Sequence, residues 1–228
     1  MTYDEFPNGS GMVDRQDLLA VADVAFCNNM VQREKRSFNK TIDMVMGVYQ
    51  REGRYNGWLA ISLKPSHGGL DWLINLCFFG KVHLGYKLEF DKYWSEIFNM
   101  VLSRDEIAQK GIIISGRSKG GAEAIMLGKC FKCSNVEYPN ILVGAIEPPR
   151  AFGKKETARI ENLFPVISTC YKDDIVPALP PWYKTPGKMF QIGRRKTGRS
   201  IQDHRDSTEK EELIYKGIDD ICPEADYE

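Results

Sequence analysis

One short segment constrains the fold of this chain more than any other: residues 111–121 read Gly-Ile-Ile-Ile-Ser-Gly-Arg-Ser-Lys-Gly-Gly. The β-branched residues 112–114 are typical of a buried parallel strand, and residues 122–127 are good helix formers. Between them stands the pattern Gly-x-Ser-x-Gly, centred on Ser118. A sharp turn from strand to helix holds its serine in a strained conformation and needs glycine where a Cβ would collide. The segment therefore predicts a strand, a tight turn and a helix, with Ser118 as a candidate nucleophile.

The charge balance and the hydropathy of the chain argue against a nucleic-acid partner and against stable membrane insertion. The chain has 31 basic and 31 acidic residues, and this balance provides no attraction to a polyanion, so we expect no nucleic-acid partner. The basic run at residues 193–199 is interpreted as a solvated loop. No apolar run has the length of a membrane span, and the first residues lack the pattern of a secretory signal. We therefore expect a cytoplasmic protein without stable membrane insertion.

The cysteines predict neither a disulfide framework nor a metal site. Six cysteines in 228 residues are too sparse for a small secreted scaffold, so we interpret them as mostly reduced thiols. Cys130 and Cys133 have the spacing of half a zinc site, but no second pair and no histidine accompany them. The pair is interpreted as structural, and we expect no metal and no cofactor.

The order of apolar segments predicts a single α/β domain over residues 1–228. Residues 1–55 are expected to form two amphipathic helices packed on a sheet. Their apolar faces are Leu18, Leu19, Ala22 and Phe26 in the first and Phe38, Ile42, Val45, Met46 and Tyr49 in the second. Apolar strands are predicted at residues 58–63, 112–115, 141–146 and 166–170, with helices at 90–101 and 156–162. Alternation of this kind predicts a mostly parallel sheet with helices on both faces.

A serine nucleophile needs a base that accepts its proton and an acid that orients the base. On an α/β sheet of this kind these residues follow in the order Ser, Asp, His. His204 is the one histidine after Ser118 in the chain. Asp173 and Asp174 both follow the strand at residues 166–170, at the end where such sheets present catalytic groups. The residues alone leave both aspartates open as the acid.

Beyond this order of Ser, Asp and His, the sequence resembles the class 3 lipases, a family of α/β-hydrolases. The resemblance runs from Trp58 to His204 and is carried by five motifs in order. They are Leu63-Lys-Pro-Ser66 with Asp71-Trp72, Val82-His83-Leu84-Gly85-Tyr86, Gly116 to Gly121, Glu147-Pro-Pro-Arg150, and Asp174-Ile-Val-Pro177 with Leu179-Pro-Pro181. The third is similar to the family's Gly-His-Ser-Leu-Gly-Gly turn and the fourth to its Gly-x-Pro-Arg turn.

The resemblance implies an α/β-hydrolase fold and assigns roles to individual residues. It implies Ser118 as the nucleophile, Asp174 as the triad acid and His204 as the base. It further implies that Ser66 donates to the oxyanion hole. The second donor would be the backbone N–H of Lys119, the residue after the nucleophile.

The sequence departs from the family pattern beside the serine and at the loop of Ser66, and one further segment is a candidate for substrate binding. Arg117 and Lys119 replace the usual His and Leu. These cations either favour an anionic substrate or pair with nearby acids such as Glu123, and we expect the pairing. Pro65 replaces a usual Gly and alters the loop that presents Ser66. Residues 66–81 are either a candidate short lid, whose apolar face carries the candidate substrate-binding residues Trp72, Leu73 and Leu76, or a segment whose apolar residues pack on the core.

Together these features predict a serine hydrolase of the lipase or carboxylesterase type. The substrate would be an acyl ester or lipid, cleaved through an acyl-enzyme intermediate without metal or cofactor. Contact with a membrane surface would be transient. The alternative is a hydrolase fold used for binding or scaffolding, which the altered residues around the serine would favour.

Overall fold

The structure is a computed structural model that describes residues 13–38, 42–65, 82, 84–194, 198 and 200–222. Within this part of the chain, seven strands form one sheet in the order in which they follow along the sequence. They are β1 (Met30–Phe38), β2 (Ile42–Tyr49), β3 (Leu59–Pro65), β4 (Ile112–Arg117), β5 (Ile141–Ile146), β6 (Val166–Tyr171) and β7 (Lys188–Ile192).

Helices cover both faces of this sheet. One face carries α1 and α8, whose side chains share a core with Val45, Ile113 and Ile167. The other face carries α2, α3, α5 and α6. The helices are α1 (Arg15–Phe26), α2 (Leu84–Phe90), α3 (Trp94–Leu102), α4 (Asp105–Ala108), α5 (Lys119–Lys132), α6 (Lys154–Glu161), α7 (Ile201–Glu209) and α8 (Glu211–Ile221), with a 3-10 turn at Val176–Ala178.

The strand directions confirm the predicted mostly parallel sheet. Strands β3 to β7 pair in parallel, and each pair of successive strands is joined by a crossover. The four predicted apolar strands correspond to β3, β4, β5 and β6 within a residue or two. Strand β7 and helices α7 and α8 were not predicted.

The prediction of two N-terminal helices within residues 1–55 is correct for the first and wrong for the second. Helix α1 begins at the N-cap Asp14, which forms a capping box with Asp17. The segment predicted as the second helix instead forms β1 and β2, which pair antiparallel with each other, as β2 does with β3. Strand β2 is buried on both faces, because Ile42 packs into one core cluster and Val45 into the other. Burial on both faces removes the alternation that marks a strand, so the apolar spacing matched a helix.

The parallel strands bring three polar residues to one edge of the sheet. Ser118 follows β4, Glu147 follows β5, and Asp174 lies in the turn after β6. All three are buried, with exposed fractions of 5%, 0% and 5%. The carboxyl edge of an α/β sheet is where such folds place their functional groups. The candidate site therefore lies at this edge.

Candidate active site

Ser118 occupies the sharp turn between β4 and α5. Its backbone has φ 52° and ψ −127°, a conformation that a residue with a side chain rarely adopts. Two backbone hydrogen bonds hold the turn, from Ser118 N–H to the carbonyl of Ile146 and from Gly121 N–H to the carbonyl of Ser118. The turn directs the serine hydroxyl away from the strand and starts α5 directly behind it.

The glycines beside Ser118 are required by close packing against β3. A Cβ on Gly116 would lie 2.3 Å from the carbonyl oxygen of Gly120, and a Cβ on Gly120 would lie 2.3 Å from that of Leu63. Atoms cannot approach so closely without backbone movement. The glycines therefore allow helix α5 to approach the sheet closely enough to form the turn.

Ser118, His204 and Asp174 form a continuous chain of hydrogen bonds. The Ser118 Oγ lies 2.9 Å from His204 Nε2, and His204 Nδ1 lies 2.7 Å from Asp174 Oδ2. The second carboxylate oxygen, Asp174 Oδ1, accepts the backbone N–H of Val176 at 2.8 Å. With Nδ1–H donating to Asp174, Nε2 is the acceptor for the serine proton. The geometry fits a nucleophile, its base and the group that orients the base.

Backbone pairing between two distant segments brings His204 to Asp174. Ser200 N–H donates to the carbonyl of Asp173, and Ile175 N–H donates to the carbonyl of Ser200. Ser200 is also the N-cap of α7, because its side chain accepts the backbone N–H of Asp203. His204 lies in the first turn of that helix. The cap thus fixes both where the helix begins and where the imidazole points.

Of the two aspartates left open by the residues alone, Asp174 is the one in contact with His204. The backbone N–H of Asp173 lies 3.4 Å from Asp203 Oδ2, and Asp173 is half-buried. Successive residues in the turn after β6 point in different directions. Asp174, the second of the two aspartates, is therefore the one that contacts the imidazole.

The two cations beside Ser118 have different surroundings. Lys119 Nζ lies 3.7 Å from Glu123 Oε1, and both side chains are buried, which confirms the predicted pairing. Arg117 places its guanidinium 4.8 Å from the ring centre of Phe26, on the face of the sheet that α1 covers. The backbone N–H of Lys119 begins α5 next to the serine, where the helix dipole favours negative charge.

Several predicted residues lie outside the described part of the chain. The candidate oxyanion donor Ser66, the candidate lid at residues 66–81 with Trp72, Leu73 and Leu76, and His83 belong to this group. Strand β3 ends at Pro65, directly before them. These assignments stay predictions.

Sequence reasoning missed a buried carboxyl at the same edge of the sheet. Glu147 follows β5, and its Oε2 accepts the backbone N–H of Tyr171 at 2.9 Å. Its Oε1 accepts the hydroxyl of Thr169 at 3.2 Å. Burial, followed by a hydrogen bond to Asp174 and the charge of that residue, raises the pKa of Glu147 well above its ordinary value. The available signal was the Glu itself, which stands where the resembling family motif has glycine.

No metal centre is indicated by the described residues, because they contain no group of three or more His, Cys, Asp or Glu side chains placed to hold an ion. Burial raises the pKa of the Cys130 thiol to about 11, so this cysteine is a protonated thiol at neutral pH. In the same part of the chain, no helix is long and apolar enough to cross a membrane.

The chain belongs to the class 3 lipase family, whose model, lipase (class 3), matches residues 59–184, more than half of the chain. It is therefore a lipase-type serine hydrolase, which is a carboxylic ester hydrolase. No curated protein matches the chain in sequence.

Solved structures of fungal lipases share the fold. A lipase from Rhizopus microsporus var. chinensis is 16% identical with a TM-score of 0.66, covering 83% of this chain and 84% of its own. Lipase II from Rhizopus niveus is 15% identical with a TM-score of 0.65 and coverage of 78% and 79%. A triacylglyceride lipase from Rhizomucor miehei is 15% identical with a TM-score of 0.64 and coverage of 83% and 90%. The predicted α/β-hydrolase fold is confirmed.

Proposed function

We propose that Ser118, His204 and Asp174 are the nucleophile, base and acid of a triad that cleaves carboxylic acyl esters. The observation that carries this proposal is the chain of hydrogen bonds from Ser118 Oγ through the imidazole to Asp174, 2.9 and 2.7 Å long. The strained backbone of Ser118 is a second support, because such strain is found where a turn presents a nucleophile.

The geometry supports a two-step reaction. Ser118 Oγ attacks the acyl carbonyl while His204 Nε2 accepts the serine proton, and the imidazolium returns this proton to the leaving alcohol. Asp174 stabilises the imidazolium from Nδ1. Water then attacks the acyl-enzyme while His204 Nε2 accepts a proton from it, and the imidazolium returns this proton to Ser118 Oγ as the carboxylic acid leaves.

The oxyanion of the tetrahedral intermediate needs donors aimed at the developing charge. We assign one donor to the backbone N–H of Lys119, at the start of α5 and adjacent to the nucleophile. Its side chain is occupied by Glu123, so the lysine contributes through its backbone. The second donor is Ser66, and its role rests on the family motif that it matches.

The substrate we propose is an acyl ester of a lipid or a related small molecule, bound in part by Trp72, Leu73 and Leu76. Contact with a lipid surface would be transient. It would use two exposed apolar side chains beside the site, Trp182, which is 59% exposed, and Met189, which is 38% exposed. Both residues line a cavity of about 410 Å³ that Asp174 also lines. The proposed place of action is the cytoplasm, and no nucleic acid is involved.

Labelling with a fluorophosphonate, which reacts with activated serines, tests the triad. We expect modification at Ser118, located by mass spectrometry of peptides, in the wild-type protein. Labelling should be lost in Ser118→Ala and in His204→Ala. The matched control is Ser115→Ala, because Ser115 is a buried serine within β4, the strand that leads to Ser118, and the hydrogen bond to His204 Nε2 is made by Ser118.

Labelling that persists in folded His204→Ala would contradict the role of His204. A folded wild-type protein that fails to react with the probe, with and without detergent, would reject the proposed triad. It would favour the alternative in which the fold serves as a binding module. Hydrolysis of p-nitrophenyl esters of increasing chain length would then define the acyl specificity of a protein that does react.

A further inference from the structure

A cavity of about 470 Å³ beside the end of α1 has a strongly cationic lining. The lining contains five cationic side chains and one carboxylate. The cations are Arg33, Lys35, Arg36, Lys64 and Arg117, and the acid is Asp43. The chain as a whole has equal numbers of acidic and basic residues, so this cavity concentrates positive charge on a protein that is otherwise balanced.

Strand pairing brings these charges to one face of the sheet. Lys35 of β1 pairs with Val45 of β2, which belongs to the core on the face that α1 covers. Lys64 of β3 pairs with Asp43, two residues before Val45 in β2. Alternate residues of a strand point to the same face, and directly paired residues share a face. Lys35 and Lys64 therefore lie on the face that α1 covers.

Two of the cations lie at the end of the sheet that presents Ser118. Leu63 of β3 pairs with Gly116 of β4, and Lys64 and Arg117 each follow this pair by one residue. Both side chains are half-buried. Arg117 directly precedes Ser118, and the ring of Phe26, the last residue of α1, holds its guanidinium in place. The cavity therefore adjoins the turn of the candidate nucleophile.

Acidic side chains compensate only part of the positive charge of the cavity. Arg36 pairs with Glu34 at 3.3 Å, and Arg33 Nε donates to a backbone carbonyl at 2.6 Å. Within the described part of the chain, no ion pair joins Lys35 or Lys64 to a carboxylate. Neighbouring like charges repel each other, and a bound anion would relieve this repulsion.

The chemistry of the lining fits a phosphate group. A phosphate carries up to two negative charges at neutral pH and has several terminal oxygens, so it can contact several cations at once. Guanidinium groups bind such oxygens in pairs, and ammonium groups act as point charges. The volume of the cavity is within the range of small-molecule sites, which leaves room for the rest of a molecule that carries the phosphate.

We propose that this cavity binds the phosphate group of a ligand through Lys35, Lys64 and Arg117. Two sources could supply this group. One is the acyl ester that Ser118 cleaves, and for this source the inference rests on the proposed function. The other is a separate phosphate compound that occupies the cavity beside the substrate. The two sources share one recognition chemistry and differ in their effect on ester hydrolysis.

Thermal unfolding of the full chain in inorganic phosphate, at constant pH and ionic strength, tests the site. At a phosphate concentration about twentyfold above its Kd, the Tm of the wild type should rise by about 4 °C. Lys35→Gln combined with Lys64→Gln should lose most of this rise. Lys35→Gln alone, at an exposed position, should reduce the rise and keeps the test available where the double variant fails to fold.

The matched control combines Lys92→Gln with Lys110→Gln. Both lysines are exposed, and neither lines the cavity. This variant loses the same net charge as the cavity variant, so it should retain the full rise in Tm. The comparison separates a local site from the general field of the protein.

Hydrolysis of two matched esters identifies the source of the phosphate. The substrates are 1-butyrylglycerol 3-phosphate and the neutral 1-butyrylglycerol. When the ester supplies the group, kcat/KM of the wild type should be about tenfold higher for the phosphorylated ester, and the cavity variant should lose this preference. Equal rates on both esters, together with the rise in Tm, would assign the cavity to a separate phosphate compound.

The proposal is overturned when phosphate leaves the Tm of the wild type unchanged, or when the rise is the same in the wild type and in the Lys35 and Lys64 variant. An equal rise would reflect the general stabilisation of folded proteins by phosphate in solution. Unfolding requires no turnover, so it separates this inference from the proposed function. A protein that shows the expected rise but fails to react with fluorophosphonate would retain the phosphate site and lose the hydrolytic triad. Reaction with the probe without the rise would have the opposite meaning.

Discussion

Asp174 provides the sharpest residue-level test of the reaction. Substitution Asp174→Asn keeps the size of the side chain and removes the charge that stabilises the imidazolium. It also permits the tautomer in which Nε2 carries the proton and cannot accept one from Ser118. We expect kcat for ester hydrolysis to fall about 10⁴-fold with little change in KM.

Asp173→Asn is the matched control, because Asp173 is the adjacent aspartate and His204 contacts Asp174 instead. Steady-state kinetics on a soluble p-nitrophenyl ester should give a kcat for Asp173→Asn within about twofold of the wild type. Equal losses in the two variants would contradict the assignment of Asp174.

The residues of the site could be predicted from sequence to different extents. Ser118 is identified by its local pattern of glycines, and His204 by being the one histidine that follows it. The choice of Asp174 over Asp173 depended on the family motif, because both aspartates lie in the same turn. Glu147 was missed since nothing in its sequence neighbours indicates that its carboxyl accepts hydrogen bonds from Thr169 and Tyr171, 22 and 24 positions away.

At the scale of elements, the segment between the 3-10 turn and β7 carries the proposed surface contact. Trp182 is exposed beside the cavity that Asp174 lines. Removing the indole by Trp182→Ala should weaken adsorption to micelles or emulsions, and a loss of about 1.4 kcal/mol corresponds to roughly tenfold weaker adsorption. The rate on a dispersed, short-chain ester should stay the same, because the triad is untouched.

Leu102→Ala is the control for this prediction, since Leu102 is also exposed but lies at the end of α3 on the path to the amino end of β4. Its activity on aggregated and on dispersed ester should match the wild type. Equal behaviour of Trp182→Ala and Leu102→Ala on aggregated substrate would show that Trp182 contributes no surface contact.

The antiparallel pair β1 and β2 is the part of the fold that the sequence predicted wrongly. Helix α1 was predicted because one of its faces is apolar and its start is capped. Strand β2 was predicted as a helix because Ile42, Met44 and Met46 face one core while Val45 and Tyr49 face the other. A half-buried strand is predicted from the alternation of apolar and polar residues. A strand that is buried on both faces lacks this alternation, so its apolar spacing can match a helix.

At the scale of the whole molecule, Asp23 joins α1 and α8, the first and last helices of the described part of the chain. This fully buried side chain of α1 accepts the hydroxyl of Tyr49 from β2 and that of Tyr215 from α8, each at 2.7 Å. It also pairs with Arg51 at 2.8 Å. Removal of a buried carboxylate leaves its partners without an acceptor, so Asp23→Ala should lower the free energy of unfolding by about 3 kcal/mol.

Urea denaturation followed by circular dichroism measures this loss. Tyr215→Phe is the matched control, because it removes only one of the hydrogen bonds to Asp23, together with the one that the hydroxyl accepts from Asn28, and should lower the free energy of unfolding by about 2 kcal/mol. A loss in Asp23→Ala no larger than that in Tyr215→Phe would contradict a linking role for Asp23. Fluorophosphonate labelling of the folded fraction should be unaffected in both variants.

The sequence by itself determined the turn around Ser118, the four apolar strands β3 to β6 and the order of Ser, Asp and His. These are local properties: β-branched runs, glycines at a tight turn and residue order can all be read along the chain. Only the tertiary structure decided that β1 and β2 are strands, that His204 lies within hydrogen-bond distance of Asp174 and that Glu147 accepts hydrogen bonds from Thr169 and Tyr171. Such contacts depend on pairing between segments far apart, such as Ser118 and His204 at a separation of 86 residues, and local pattern contains no record of that pairing.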